Sequence, residues 1–340
     1  MLNESVQSEF AAGPGYLNTA SVGLPPRVAV DAVRTRLSEW ENGGCDPVSF
    51  DVEVERARGA YAEIVGTDLA SVGIVGQASV VTGLVASSLP DGAKVVCAEE
   101  DFTSVLFPFL GDARLDVKLV PFAEIVDHIG PDTDLVAVSA VQSADGRVID
   151  LDRLAKVAED TETRTYLDVT QAAGWLPLGA DRFDVTACGA YKWLCSPRGS
   201  GFITVASTNN WLQPKYAGWF STEDPWTSIY GPPLRLASDA RRFNVSPAWF
   251  DFVGAASALE FIASLGVDEV NDHSVTLANA FRSAMSMTPS NSAIVSLATP
   301  HGAVLAEAGI SSAERAGRVR LSFYLYNTLA DAERAAELLR

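Results

Sequence analysis

Three histidines, four cysteines and 25 basic side chains against 43 acidic ones leave this 340-residue sequence short of material for several kinds of chemistry. His128, His273 and His301 stand far apart, so neither a histidine-rich metal site nor a serine–histidine–aspartate relay is in view, and no metal is expected. Cys45, Cys97, Cys188 and Cys195 lack metal-ligand spacing and offer no secreted disulfide framework; a reducing cytoplasm suits them. The formal charge of -18 argues against a nucleic-acid partner, because phosphate is repelled and no basic run stands out. No run of about 18 apolar residues is available to cross a bilayer, so no membrane partner is expected. Met1 to Gly13 carries Glu4 and Glu9 but no Lys, Arg or apolar segment, which does not read as a secretory signal.

What is present is a globular composition, 48% apolar and 20% charged, on a chain long enough for one large domain or a large and a small one. From about residue 26 to 205 amphipathic helical stretches alternate with short β-rich runs, the pattern of strands wound with helices into one sheet. Val30, Val33, Leu37 and Trp40 mark a helix after Pro25-Pro26, and Glu53 to Val65 marks another. Strands are expected at Val72 to Val75, Lys94 to Ala98, Asp116 to Pro121, Leu135 to Ser139 and Thr165 to Val169, with helices such as Ala78 to Leu89 and Leu151 to Glu159 between them. Asn209 to Pro233, rich in Trp and Tyr among Gly, Pro and Ser, reads as a long irregular excursion. A helix from Pro247 to Leu265 and then helix, strand, strand and helix, including the β-like run Arg318 to Phe323, are enough for a smaller α+β domain. The expected division is 16–245 and 246–340, with 1–15 packing on the second part.

Two segments carry chemical information. In Arg164-Thr-Tyr-Leu-Asp168-Val-Thr-Gln171, Asp168 ends an apolar strand, where ligands bind in open α/β sheets, although strand ends also carry Asp for turns. Further on, Lys192 stands between an apolar run and the glycine-rich turn Ser196-Pro197-Arg198-Gly199-Ser200-Gly201. A lysine so placed loses solvation, which lowers its pKa and exposes a neutral, nucleophilic amine; a lysine beside tryptophan also fits a surface residue with a buried stem.

Together, Asp168-x-x-Gln171 and Lys192-Trp-Leu-x-x-Pro197-x-Gly199-x-Gly201-Phe resemble the class V aminotransferase superfamily of fold type I pyridoxal-phosphate (PLP) enzymes, which includes cysteine desulfurases, kynureninases and isopenicillin-epimerase-like proteins. The resemblance implies a large domain with a mostly parallel central sheet wrapped by helices, plus a small C-terminal α+β domain. It implies that Lys192 carries PLP as a Schiff base, that Asp168 pairs with the pyridine nitrogen and that Gln171 bonds the phenolic oxygen. Tyr16 to Pro25 is similar to the family's N-terminal motif over the site. Gln77, Ala78 and Ser79 resemble its phosphate cup, a helix N-terminus that binds phosphate through N–H groups. Phe102 takes the place of the ring stacked on the cofactor, with core packing as the ordinary alternative. On the strand Arg318-Val-Arg320-Leu-Ser322, position matching selects Arg320 to clamp a substrate α-carboxylate, with Arg318 on the same face as its rival.

Three departures qualify the resemblance. Gly189-Ala190-Tyr191 replaces the family's Ser-x-His before the lysine, so the phosphate loses a hydroxyl and Tyr191 stands in reach instead. Arg242 to Pro247 is one residue short of the element whose hydroxyl, Ser246 here, reaches the partner subunit's phosphate. Thr299 to Gly317 holds no cysteine to accept sulfur, and Cys188 and Cys195 lie in core-like runs, which disfavours a persulfide mechanism. The expected protein is a cytoplasmic homodimer acting at the α-carbon of an amino acid, as an aminotransferase in the first place and as a β-elimination lyase or epimerase in the second. A non-catalytic binding protein on the same fold is the reading from another class.

Overall fold

Apolar runs punctuated by Gly, Asp and Pro become the strands β1 (Val72–Val75), β2 (Lys94–Ala98), β3 (Asp116–Val120), β4 (Leu135–Ser139), β5 (Arg164–Asp168), β6 (Val185–Gly189) and β7 (Gly201–Val205). In the computed structural model, which describes residues 2–11 and 15–340, they form one sheet in the order β1-β7-β6-β5-β4-β2-β3. Neighbours among β2 to β6 pair in parallel, while β7 runs antiparallel to both β6 and β1. All strands but β7 therefore point the same way, and their carboxyl ends share one edge of the sheet. That edge is where an open α/β sheet binds its ligand.

Both faces of the sheet are covered, which is why its inner strands are apolar without alternation. Val95 and Cys97 of β2 and Leu135 and Ala137 of β4 face α4 (Ala78–Ser88) and α5 (Thr103–Leu110). Val96, Ala98, Val136 and Val138 face the opposite cluster, built with α3 (Asp51–Val65), α6 (Leu151–Thr161) and α7 (Trp249–Leu265). α7 seats closely on α2 (Arg27–Glu41) and on the turn after Lys192: a Cβ on Gly254 would lie 2.6 Å from Pro197 Cγ and 3.1 Å from Val33 Cγ2. No single described helix is long and apolar enough to cross a membrane.

A second, antiparallel sheet has the order β8-β10-β9, from β8 (Ile294–Leu297), β9 (Ala313–Arg315) and β10 (Arg318–Ser322). It packs with α8 (Val267–Ala284), α9 (Gly302–Glu307) and α10 (Leu329–Leu339) around its own core. The N-terminal segment lies along the end of β10, with bridges from Tyr16 to Ser311 and from Asn18 to Ser322.

The expected mixed α/β class and mostly parallel sheet stand. Boundaries moved by one or two residues, as at β5, which begins at Arg164, and α3, which begins at Asp51 behind the turn Pro47–Phe50. α5, α9 and β9 were not anticipated. α5 is eight residues, nearly all apolar, with Pro108 inside, so it shows neither a helical period nor an uninterrupted run.

Candidate active site

Successive strand ends deliver side chains into one cavity. The β1–α4 turn supplies Gly76, Gln77, Ala78 and Ser79. Phe102 and Ser104 enter from the start of α5, and Ser139 from the end of β4. Asp168, Thr170 and Gln171 follow β5, while Tyr191, Lys192 and Arg198 follow β6.

Lys192 is 7% exposed and belongs to no lysine ion pair among the described residues. Burial lowers its amine to about 8; the Asp168 charge pulls it upward, and Arg320 and Arg315 push it down further. Its Nζ lies 5.7 Å from the ring centroids of Phe102 and of Tyr191. The surface alternative for this lysine is thereby removed.

Asp168 is buried, and burial raises its pKa, with the Thr170 hydrogen bonds and the Lys192 charge acting the other way. Its Oδ1 accepts the Thr170 N–H at 2.8 Å, so one oxygen does serve the turn. Behind it, the buried Asp101 accepts from the Ser139 N–H at 2.7 Å, the Ser139 hydroxyl at 2.5 Å and the Phe102 N–H at 2.7 Å. These bonds tie β2 to β4 and hold the backbone that presents Phe102. The Phe102 ring is 49% exposed, which excludes core packing.

The Gln171 amide is committed within the protein. Its Oε1 accepts from Trp193 Nε1 at 2.8 Å, and its Nε2 donates to the Ala20 carbonyl at 3.0 Å and to Ser143 Oγ at 3.1 Å. Only the bond to Ser143 points to a residue lining the cavity. Arg320, 1% exposed, donates from Nη1 to the Ser143 carbonyl at 2.5 Å and from Nη2 to Ser21 Oγ at 2.7 Å. Its rival Arg318 is exposed and turned to Ser296. Burial, then the neighbouring Arg315, lowers Arg320 to about 10.

Arg320 does not itself line the cavity but bonds to Ser143, which does. α4, whose start lines it, begins after Gln77 in extended conformation and without a side-chain cap, so its first N–H groups are open to a ligand. The Tyr191 ring lies against Gly189, where a Cβ would meet Tyr191 Cε1 at 3.2 Å. Ser246 is exposed and does not line this cavity of its own chain. Cys188 and Cys195 are buried, and burial pushes both thiols up.

Ser21, Ser143, Asp101, Arg198 and Arg315 went unassigned in the sequence. Asp101, directly after a strand and before a helix, carried a readable signal; Ser21 and Ser143 carried none, because their partner is Arg320 near the other end of the chain.

The family model of class V aminotransferases matches residues 78–306, a span that holds α4, Asp168 and Lys192. The chain belongs to this family. An uncharacterized aminotransferase of Bacillus subtilis is 29% identical over 238 residues, 66% of this chain and 63% of that protein. Isopenicillin N epimerase of Streptomyces clavuligerus is 28% identical over 258 residues, 68% of this chain and 62% of the epimerase. The chain thus spans less than two thirds of either relative. The apo structure of a cysteine desulfurase from Thermococcus onnurineus superimposes with a TM-score of 0.85 at 19% identity, covering 99% of this chain and 97% of that one, which establishes the shared fold. For a class V aminotransferase the implied cofactor is PLP, and the cavity fits it. A buried amine without an ionic partner, a buried carboxylate, an exposed aromatic face and an open helix N-terminus line the same space.

Proposed function

We propose that this class V aminotransferase is a PLP-dependent enzyme acting at the α-carbon of an amino acid, with transamination as its reaction. The observation that carries this is Lys192, a buried amine depressed to about 8 in the same cavity as Asp168. Near neutral pH such an amine exchanges its proton readily, which suits both attachment of the cofactor and general-base work at the α-carbon. Asp168 would hold a proton on the pyridine nitrogen, and Phe102 would lie along the ring face. The open N–H groups of α4, Ser79, Tyr191 and Arg198 would hold the phosphate. Gln171 would bond the phenolic oxygen through Nε2, giving up its bond to Ser143 Oγ. When bound, the group supplies the electron sink for the pair released at the substrate α-carbon. Arg320 orients the α-carboxylate, and Lys192 moves the proton at the α-carbon.

Buried thiols with raised pKa values supply no persulfide acceptor, which supports transamination over sulfur transfer. The purified protein should show the visible absorbance of lysine-bound PLP and lose it in Lys192→Ala; a colourless protein that PLP cannot reconstitute refutes the reading. With an amino acid and no acceptor, keto acid should form stoichiometrically. Continuous pyruvate release would instead assign β-elimination. The working unit is proposed to be a homodimer, supported by the exposed apolar side chains of Trp40, Val48 and Val52 and by Ser246, which is exposed and does not line the cavity of its own chain. A cytoplasmic setting is proposed from the four free cysteines, three of them buried.

A further inference from the structure

The hairpin of β9 and β10 gathers positive charge on one face. Arg318 stands opposite Arg315 and Arg320 opposite Ala313, so Arg315, Arg318 and Arg320 share a face, with Arg315 and Arg320 on a diagonal. Like charges so placed repel, and none of the three belongs to an arginine ion pair among the described residues. Arg318 turns away to Ser296. Arg315 and Arg320 do the reverse and converge, donating to the same Ser21 Oγ at 3.4 Å and 2.7 Å.

A protein with 43 acidic side chains has brought two guanidinium groups to one hydroxyl without giving either a carboxylate. Arg320 is buried, and the substrate α-carboxylate answers its charge. Arg315 is exposed, its other hydrogen bond among the described residues goes to the Glu314 carbonyl at 2.7 Å, and it is left over once that carboxylate is placed. A carboxylate that meets the Arg320 fork with both oxygens has no second pair of oxygens to offer the Arg315 fork. A second acid on the same ligand resolves the excess.

We propose that the substrate is an amino acid whose side chain ends in an acidic group, held by Arg315 while Arg320 holds the α-carboxylate. This rests on the reading of the site as a PLP enzyme with Arg320 as its carboxylate clamp. Ser21 spaces the two guanidinium groups and is the hinge between the two ion pairs. Arg315 is thus a specificity residue, and its neutralisation discriminates between one-acid and two-acid ligands.

The test uses PLP-loaded protein and acids that cannot react: succinate and glutarate against propionate and butyrate, titrated by calorimetry. The better of the two diacids should bind about tenfold more tightly than the better monoacid. Arg315→Gln should abolish that preference while leaving monoacid affinity within about twofold, and Arg320→Gln should weaken all four. Equal affinity for both classes in the unmodified protein overturns the proposal. So does a loss in Arg315→Gln that falls equally on monoacids, which would place both guanidinium groups on one carboxylate. Visible absorbance recorded before titration separates the failures: a protein that takes up no PLP refutes the underlying reading, whereas a yellow protein indifferent to the second acid refutes this one alone.

Discussion

Replacing Lys192 by methionine should stabilise the cofactor-free protein at neutral pH. The amine has a pKa of about 8 in the folded chain against an ordinary 10.5, because burial disfavours its charged form. A base with a depressed folded pKa binds fewer protons folded than unfolded between those two values, so stability rises with pH across the window from about 8 to 10.5 and carries the full penalty below it. Linkage puts the cost of the charged amine at about 3 kcal/mol at pH 7 and under about 1 kcal/mol at pH 10. Methionine keeps most of the stem's volume and removes the charge, so packing should change little. Urea unfolding of both proteins at pH 7 and pH 10, after removal of PLP, reads the effect directly. Lys192→Met should be the more stable at pH 7 by about 3 kcal/mol, with the gap closing towards pH 10. A variant that is less stable at pH 7, or a gap that does not vary with pH, would refute the claim that burial dominates the environment of this amine.

Asp168→Asn should retain PLP yet turn over at least about a hundredfold more slowly in single-turnover assays, because the charge that holds the ring proton is gone. Arg198→Ala should raise the dissociation constant for PLP by about tenfold and leave that for pyridoxal, which lacks the phosphate, unchanged in fluorescence titrations. Gly23→Ala places a Cβ 1.8 Å from the Lys192 carbonyl oxygen; the N-terminal segment must move, costing about 1–3 kcal/mol in denaturant unfolding and carrying Ser21 off Arg320. Gly59→Ala, in the middle of α3 with nothing within 4 Å of the added atom, should instead raise stability by about 0.5–1 kcal/mol in the same assay.

Much of this chain is written locally. The alternation of β-rich runs with amphipathic stretches specifies strands wound with helices, because each element's period depends only on its neighbours in sequence. Asp168, Lys192 and the glycine turn after it were legible for the same reason, each sitting at a strand end whose turn chemistry is coded within a few residues, while Gln171 was singled out by the family resemblance. α5 was not legible, since its apolar residues are divided between the core (Val105, Leu106, Phe109) and the surface (Phe107, Leu110) and leave no stripe.

By itself the sequence determined the fold class, the lysine and the carboxylate that define the cavity. Only the tertiary structure decided what surrounds them. It set Ser21 and Ser143 on Arg320, brought Arg315 beside it, committed the Gln171 amide to Trp193 and Ala20, and laid Tyr191 over Gly189. Most of these contacts join residues far apart in the chain, and they follow from how sheet, hairpin and N-terminal segment close on one another. No local pattern of residues encodes that closure, so the cofactor could be read from the chain while the charge awaiting the substrate could not.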